Sequence, residues 1–161
     1  MGNRFMLEVD AGEDPDHVVK ILEDMFKARR IKPILEILRY DDAPIYHRVY
    51  RKEFVMVHWD GTVDKKLFRR TLRELAARMG RHLIDLSYEL EVDPMIISYG
   101  FKPVGVYIKC VNGEPIARGI VLKDPEGRYR LKKLVLKYDE ESDTYKIFQR
   151  PTMTRGEAAR F

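Results

Sequence analysis

The chain has 161 residues, of which 45% are apolar and 35% are charged, and its formal net charge is +4. This length suits one domain with a small appendage, and the apolar fraction is large enough for a buried core, so wholesale disorder is excluded. No apolar run approaches the roughly 20 residues of a transmembrane helix, and the N-terminus lacks a secretory signal pattern. We therefore expect a cytoplasmic protein that does not enter a membrane.

Cysteine and amide usage give two further expectations. Cys110 is the only cysteine, so the chain cannot form an intrachain disulfide or a zinc site built from cysteines. It lies in an apolar segment, which predicts a small core residue rather than a catalytic thiol. High charge with only two asparagines and one glutamine is typical of a thermophilic source.

The first half of the chain contains an internal repeat. Shifting residues 5–38 by 49 positions places Phe5 on Phe54, and each copy reads as strand, helix and strand. Two such units in tandem predict an α+β fold with a ferredoxin-like βαββαβ domain over residues 1–93.

Alternation and helical spacing place the elements of this domain. Asp14-Pro15 is a helix-start signal, and Gly80 stands where a helix-end glycine is expected. The predicted elements are, in order, a strand over 5–9, a helix over 14–30, a strand over 34–40, a strand within 46–59, a helix that begins at Thr62 or Asp64 and ends at 80, and a strand over 83–92.

The second helix is strongly basic. Residues 64–81 hold seven bases and two acids. Four of the bases follow helical i, i+3, i+4, i+7 spacing and are expected to form one outward stripe: Lys66, Arg69, Arg70 and Arg73. Like charges in one stripe repel, so an anion facing them would stabilise the helix. A plain solvated face is the alternative interpretation.

Residues 94–150 carry strand signals and no helix signal. Asn112-Gly113 between two apolar runs predicts a type I′ hairpin turn. The predicted strands are 95–99, 104–111, 116–122, 129–138 and 144–148. We interpret this region as an antiparallel β-meander that either extends the first sheet or forms a small second subdomain. Residues 151–161 lack apolar periodicity and are expected to be a mobile tail.

The positive charge is concentrated in this last third, where residues 101–161 hold 13 bases and 8 acids. Five cations crowd one predicted strand, and the first four of them are predicted binding residues: Arg128, Arg130, Lys132, Lys133 and Lys137. Together with interleaved tyrosines, such a ribbon can contact phosphates. The tyrosines are Tyr107, Tyr129 and Tyr138. Lysines on an edge strand can instead protect it from aggregation.

Three functions are compatible with these patterns. The leading hypothesis is a non-enzymatic RNA-, DNA- or polyanion-binding protein that uses the basic helix and the basic strands. The second is a structural module that forms homo-oligomers or binds a protein through its strand edges. The third is a metal-dependent enzyme at the strand ends, using Asp10, Asp60 and His58. The sequence shows no glycine-rich phosphate loop and no nucleophile motif, and no cofactor is predicted.

RNA-recognition domains share the predicted βαββαβ order and stack bases on aromatics of their central strands. Residues 52–59 match their longer motif at only some positions, because a glycine and a second aromatic are missing. The sequence therefore does not place the chain in that family.

Overall fold

The computed structural model describes residues 3–38, 53–61, 63–87 and 99–149. Within these residues the fold is α+β, with two helices and antiparallel strand pairs, as the sequence predicts. The helices are α1, Pro15–Ala28, and α2, Lys65–Arg78. The strands are β1 Arg4–Glu8, β2 Ile34–Leu38, β3 Phe54–His58, β4 Leu83–Asp85, β5 Lys102–Val111, β6 Glu114–Lys123, β7 Tyr129–Lys133, β8 Val135–Asp139 and β9 Thr144–Gln149. Parts of the predicted strands over 34–40, within 46–59 and over 83–92, most of the predicted strand over 95–99 and the predicted tail over 151–161 lie outside the described residues.

Strands β1 to β7 form one sheet in the spatial order β2-β3-β1-β4-β5-β6-β7. Every neighbouring pair is antiparallel. β5, β6 and β7 therefore continue the sheet that the first units begin. Among the described strands, β8 and β9 pair with each other and form a hairpin separate from this sheet. Asn112 and Gly113 both have positive φ between β5 and β6, as a type I′ turn requires.

Both helices begin at aspartates: Asp14 is the predicted start of α1, and Asp64 is one of the two starts predicted for α2. The Asp14 side chain accepts a hydrogen bond from the Asp16 amide, and Pro15 occupies the first turn. In α2 the Asp64 side chain accepts from the Leu67 amide at 3.4 Å. These carboxylates satisfy amide hydrogens that a helix start leaves unpaired, which explains why the helices begin there.

The internal repeat has a different register from the predicted one. Phe5 belongs to the core under the helices, whereas Phe54 belongs to the cluster on the opposite face of the sheet. A shift of 50 instead places Phe5 on Val55, which shares its face. Because side chains alternate across a strand, the one-residue error in the predicted shift of 49 exchanges the two faces.

The same shift of 50 relates the helix boundaries. It places the N-cap Asp14 on Asp64, and it places Arg30 (φ 58°) on Gly80 (φ 68°), so both helices end at a left-handed residue. The predicted shift of 49 followed matching residue types in the loops, such as Gly12 and Gly61. The repeat is therefore one of backbone geometry more than of residue identity.

Two predicted strands are shorter than expected. The fourth ends at Asp85, and residues 86–87 form a turn. The strand predicted over 129–138 is interrupted at Leu134, whose amide still donates to the Arg118 carbonyl of β6 at 3.0 Å. Beyond Leu134 the chain leaves the sheet and pairs with β9.

The β8–β9 hairpin lies on the same sheet face as the two helices. Leu136 of β8 and Tyr145 of β9 are buried in the core that also contains Phe68 and Leu72 of α2. One flank of α2 is therefore covered by the hairpin. Neither described helix has the length and apolar composition needed to cross a bilayer.

Candidate functional site

The predicted outward stripe on α2 is wrong for two of its four members. Arg69 is 2% exposed and Arg73 is 6% exposed, whereas Arg70 is exposed and Lys66 is half-buried. The reason is the hairpin, which packs against this flank of the helix. Helical periodicity alone does not reveal a partner that arrives from 70 residues further along the chain.

Arg69 is neutralised by two carboxylates. Its Nε donates to Asp85 Oδ2 at 2.8 Å, its Nη2 donates to Ser87 Oγ at 2.6 Å, and its Nη1 donates to Asp143. Asp85 Oδ2 also accepts from the Tyr145 hydroxyl at 2.8 Å. Burial by itself would lower the pKa of the Arg69 guanidinium, but Asp85 and Asp143 raise it above its usual value.

This set of contacts joins three elements, because Arg69 belongs to α2, Asp85 to β4 and Asp143 to the hairpin turn. Two further contacts fasten that turn. The Tyr138 hydroxyl donates to Asp143 Oδ1 at 2.5 Å, and Lys66 Nζ donates to the Glu141 carbonyl at 2.7 Å. Arg69 and Lys66 therefore hold the hairpin in place, and we assign them a structural role.

Arg73, one turn further along α2, has a different set of partners. Its Nη1 donates to the Tyr145 hydroxyl at 3.2 Å and its Nη2 to the Pro115 carbonyl at 3.4 Å. The guanidinium lies 4.3 Å from the centroid of the Tyr138 ring. Among the described residues, no carboxylate forms an ion pair with Arg73. It is a nearly buried cation with neutral partners.

Arg73 lines a groove of about 820 Å³ between α2, the β5–β6 turn and β8. Its charged lining residues are four bases and two acids, a formal charge of +2: Arg70, Arg73, Arg78, Lys137, Glu74 and Glu140. Glu74 is engaged by Arg78 at 2.7 Å and lies 4.0 Å from Arg29 of α1. Arg70 and Lys137 are exposed and have no ion-pair partner within the described chain.

The groove has the chemistry of an anion site. A buried guanidinium that lacks a carboxylate loses hydration without full compensation, and an anion in the groove would supply it. Guanidinium groups present forked donors that match phosphate oxygens.

Comparison with known proteins finds no match. No protein-family model fits the chain, and none of the curated proteins or solved structures compared with it is similar. The function is therefore inferred from the residues themselves.

The predicted phosphate-contacting ribbon on β7 is partly neutralised from within. Asp124 Oδ2 accepts from Arg128 Nε at 3.1 Å and from Arg130 Nε at 3.2 Å, and Glu126 pairs with Arg128. Burial would raise the pKa of Asp124, but hydrogen bonds from the Arg128 amide and from both guanidinium groups lower it. Two acids thus offset two of the four predicted cations.

The other two cations of that ribbon, Lys132 and Lys133, alternate across β7. Lys133 is exposed and Lys132 is half-buried. Lys133 lies opposite Gly119 on the sheet face that also carries Tyr107, away from the groove. Arg130 and Lys132 lie opposite Leu122 and Ile120, on the sheet face that the helices cover. None of the four cations is among the residues that line the groove, so the predicted ribbon and the predicted helix stripe do not form one site.

The interleaved tyrosines also separate. Tyr138 lines the groove, but Tyr107 faces the opposite side of the sheet, where it hydrogen-bonds to Glu8. Burial and this neighbouring carboxylate raise the pKa of the Tyr107 phenol. The side chain of Tyr129 lies outside the described part of the structure. Of the two tyrosine rings that the structure describes here, Tyr138 is the one that lines the groove.

The metal-site hypothesis is wrong in its geometry. β1 and β3 are antiparallel, so Asp10, which follows β1, and Asp60, which follows β3, lie at opposite ends of the strand pair. Asp10 lies 3.8 Å from Arg81 instead. His58 is at the Asp60 end. In the four described ranges, no group of three His, Cys, Asp or Glu side chains is placed to hold a metal ion.

The described sheet ends at β2 on one side and at β7 on the other. Ile34 of β2 is 58% exposed, and β7 carries the lysines that commonly protect an edge. The hypothesis of assembly through strand edges stays a prediction for these two strands.

Sequence reasoning placed Arg70 and Arg73 on one helix stripe, and Lys137 and Tyr138 on the basic strand, but it did not bring the two sets together. Arg78 and Lys137 line the groove but were not among the predicted binding residues, and their only sequence signal is positive charge. The Pro115 carbonyl, which accepts from Arg73, has no signal in the residue pattern. The hairpin that converts those charges into a groove has no counterpart in the local pattern.

Proposed function

We propose that the protein binds nucleic acid or another polyanion, with phosphate groups held in the groove between α2 and β8. The observation that carries this proposal is the nearly buried Arg73 guanidinium, which has neutral partners only among the described residues and lines a groove of positive charge. A cation in such a place is stabilised by an incoming anion more than a surface cation is, because little water competes for it.

Each lining residue has a part in this proposal. Arg73 contacts a phosphate at the base of the groove. Arg70, Arg78 and Lys137 contribute charge around it, since all three are exposed. Arg78 exchanges its Glu74 partner for phosphate, or shares it. No catalytic step is required of any of these side chains, so we propose a binding protein and not an enzyme.

The fold and location belong to the same proposal. The order β-α-β-β-α-β and the strand order β2-β3-β1-β4 support a ferredoxin-like unit over residues 1–93. A single cysteine is typical of cytoplasmic proteins, which seldom use disulfides. We place the binding activity in the cytoplasm on that basis.

Fluorescence anisotropy with a labelled oligonucleotide of about 12 nucleotides tests the proposal. The logarithm of the affinity should fall linearly with the logarithm of the salt concentration, because each phosphate contact releases counterions. With four contacts from the groove the slope for a single strand is about −3. Absence of binding to RNA, DNA and inorganic polyphosphate at low salt would refute the function.

A matched pair of double variants locates the binding. Arg70→Gln with Arg78→Gln removes two groove cations and should reduce the salt slope by about 1.4. Lys20→Gln with Lys32→Gln removes the same charge from exposed sites outside the groove lining and should leave the slope nearly unchanged. An equal reduction of the salt slope in the two double variants would mean that the polyanion is bound through the net charge of the protein and not through the groove.

A further inference from the structure

The stack of Arg73 on Tyr138 distinguishes this groove from a simple patch of positive charge. The guanidinium lies 4.3 Å from the Tyr138 ring centroid and 5.4 Å from that of Tyr145. Both Arg73 and Tyr138 line the groove. Aromatic rings and guanidinium planes are the surfaces on which unpaired bases stack.

The depth of the groove favours a flexible ligand. Arg73 is 94% buried, so a phosphate must enter between the helix and the hairpin to reach it. The exposed side chains Arg70, Arg78 and Lys137 stand around that entrance. A duplex is a rigid rod whose bases are already paired and stacked, so it offers Arg73 and Tyr138 neither a base face nor a backbone that bends inward.

The length of the groove sets the size of the ligand. Arg70 and Arg78 are eight positions apart on α2, which corresponds to about 12 Å along the helix axis. That span holds a few nucleotides, at the lower end of the range of about 4–16 nucleotides for single-strand sites.

We infer that the groove takes single-stranded nucleic acid in preference to duplex, with a base against the Arg73–Tyr138 stack and its phosphate on Arg73. This inference rests on the proposed function, and it adds the class of nucleic acid and a specificity-determining residue, Tyr138. The inferred contacts are to a base and a phosphate and do not distinguish ribose from deoxyribose, so the inference covers both RNA and DNA single strands.

The test compares one labelled sequence of about 12 nucleotides as a single strand and as a duplex with the unmodified protein. The single strand should bind at least tenfold more tightly at the same salt concentration. Equal affinity, or tighter duplex binding, overturns the inference while leaving polyanion binding in place. If neither form binds, the proposed function fails as well.

Substitutions at Tyr138 add a second measurement. Tyr138→Leu removes the ring and should weaken single-strand binding about tenfold, the usual value of one stacked base. Tyr138→Phe keeps the ring, loses the hydroxyl that bonds Asp143, and should bind within about twofold of the parent. Tyr99→Leu removes an exposed tyrosine outside the groove lining and is the matched control. An affinity for Tyr138→Phe as low as that of Tyr138→Leu would show that the ring does not stack a base.

Discussion

Arg69 and Arg73 stand one turn apart on α2, and both are nearly buried, yet their surroundings differ. Arg69 is enclosed with Asp85 and Asp143, so its charge is compensated inside the fold. Arg73 rests against Tyr138 and Tyr145 beside an open groove and has no carboxylate partner among the described residues. The burial of a cation therefore does not decide its role, whereas the charge of its partners does.

The two regions also differ in what they connect. The Arg69 network ties α2 to β4 and to the hairpin, and every polar atom in it serves the fold. The groove beside Arg73 is formed by the same hairpin but faces solvent with a net positive charge. The Arg69 network therefore holds in place the hairpin that forms one side of the groove beside Arg73. Their separation predicts that one set of substitutions changes stability and the other changes binding.

The largest expected effect is that of Arg69→Met on stability. It leaves Asp85 and Asp143 without their cation, and breaking a buried pair in this way costs about 3–5 kcal/mol. Urea denaturation measures the change. Arg78→Met, which removes an exposed pair with Glu74, is the control and should cost less than about 1 kcal/mol. A similar loss of unfolding free energy in the two variants would show that the buried Arg69 network stabilises the fold no more than an exposed ion pair does.

Arg73→Met should weaken single-strand binding strongly while lowering stability less than Arg69→Met does. The substitution leaves no buried carboxylate unpaired and removes two long hydrogen bonds, so it should cost about 1–2 kcal/mol of stability, less than Arg69→Met. Single-strand affinity, in contrast, should fall about 10- to 100-fold, because a charge-assisted hydrogen bond is worth about 1.5–3 kcal/mol. Anisotropy and urea denaturation on the same preparation measure both effects. Destabilisation as large as that of Arg69→Met, with unchanged affinity, would assign Arg73 to the structural network.

Alkaline pH should weaken the hairpin attachment through Tyr145. Burial, and then the charge of Asp85, raise the pKa of this phenol above its usual value of about 10. The unfolded chain therefore loses the Tyr145 proton at lower pH than the folded chain does. The stability linked to this group is complete below about pH 10 and falls as the pH rises toward the folded pKa.

Tyr145→Phe checks that linkage. It should cost about 1.5–3 kcal/mol at neutral pH, since Asp85 and Arg73 each lose a hydrogen bond to the hydroxyl, and it should flatten the alkaline decline. Some decline will persist, because burial and Asp143 also raise the pKa of Tyr138. Urea midpoints across the alkaline range give the slope. A slope identical to that of the parent protein would exclude Tyr145 as the linked group.

The smallest expected effect is that of Lys66→Ala. Lys66 donates to the Glu141 carbonyl and does not line the groove, so its removal should cost about 0.5 kcal/mol and change affinity by less than about twofold. The outward stripe expected from the sequence would instead make Lys66 a binding residue. A tenfold loss of affinity in Lys66→Ala would show that Lys66 is a binding residue, as the outward stripe predicts.

Much of the fold could be predicted because its signals are local. Asp14-Pro15, Asp64 and Gly80 delimit the helices as their chemistry predicts, and Asn112-Gly113 forms the expected turn. The repeat register could not be read from matching residues, since Phe5 and Phe54 are alike in type but lie on opposite faces.

The site was less predictable because its partners are distant in sequence. Asp143 is 74 positions from Arg69, and Tyr145 is 72 positions from Arg73. Helical spacing gave both arginines the same predicted surface, and only the packing of the hairpin separates them. The break at Leu134, which releases β8 from the sheet, leaves no clear signal in the sequence.

The most direct test of this account is the arginine Nε–Hε NMR spectrum of the protein during titration with a short single-stranded oligonucleotide. We predict that the Arg73 signal shifts with saturation while the Arg69 signal stays in place, because only Arg73 has an anion to gain. Saturable binding with both signals unmoved, or with Arg69 shifting and Arg73 still, would contradict the assignment of the groove.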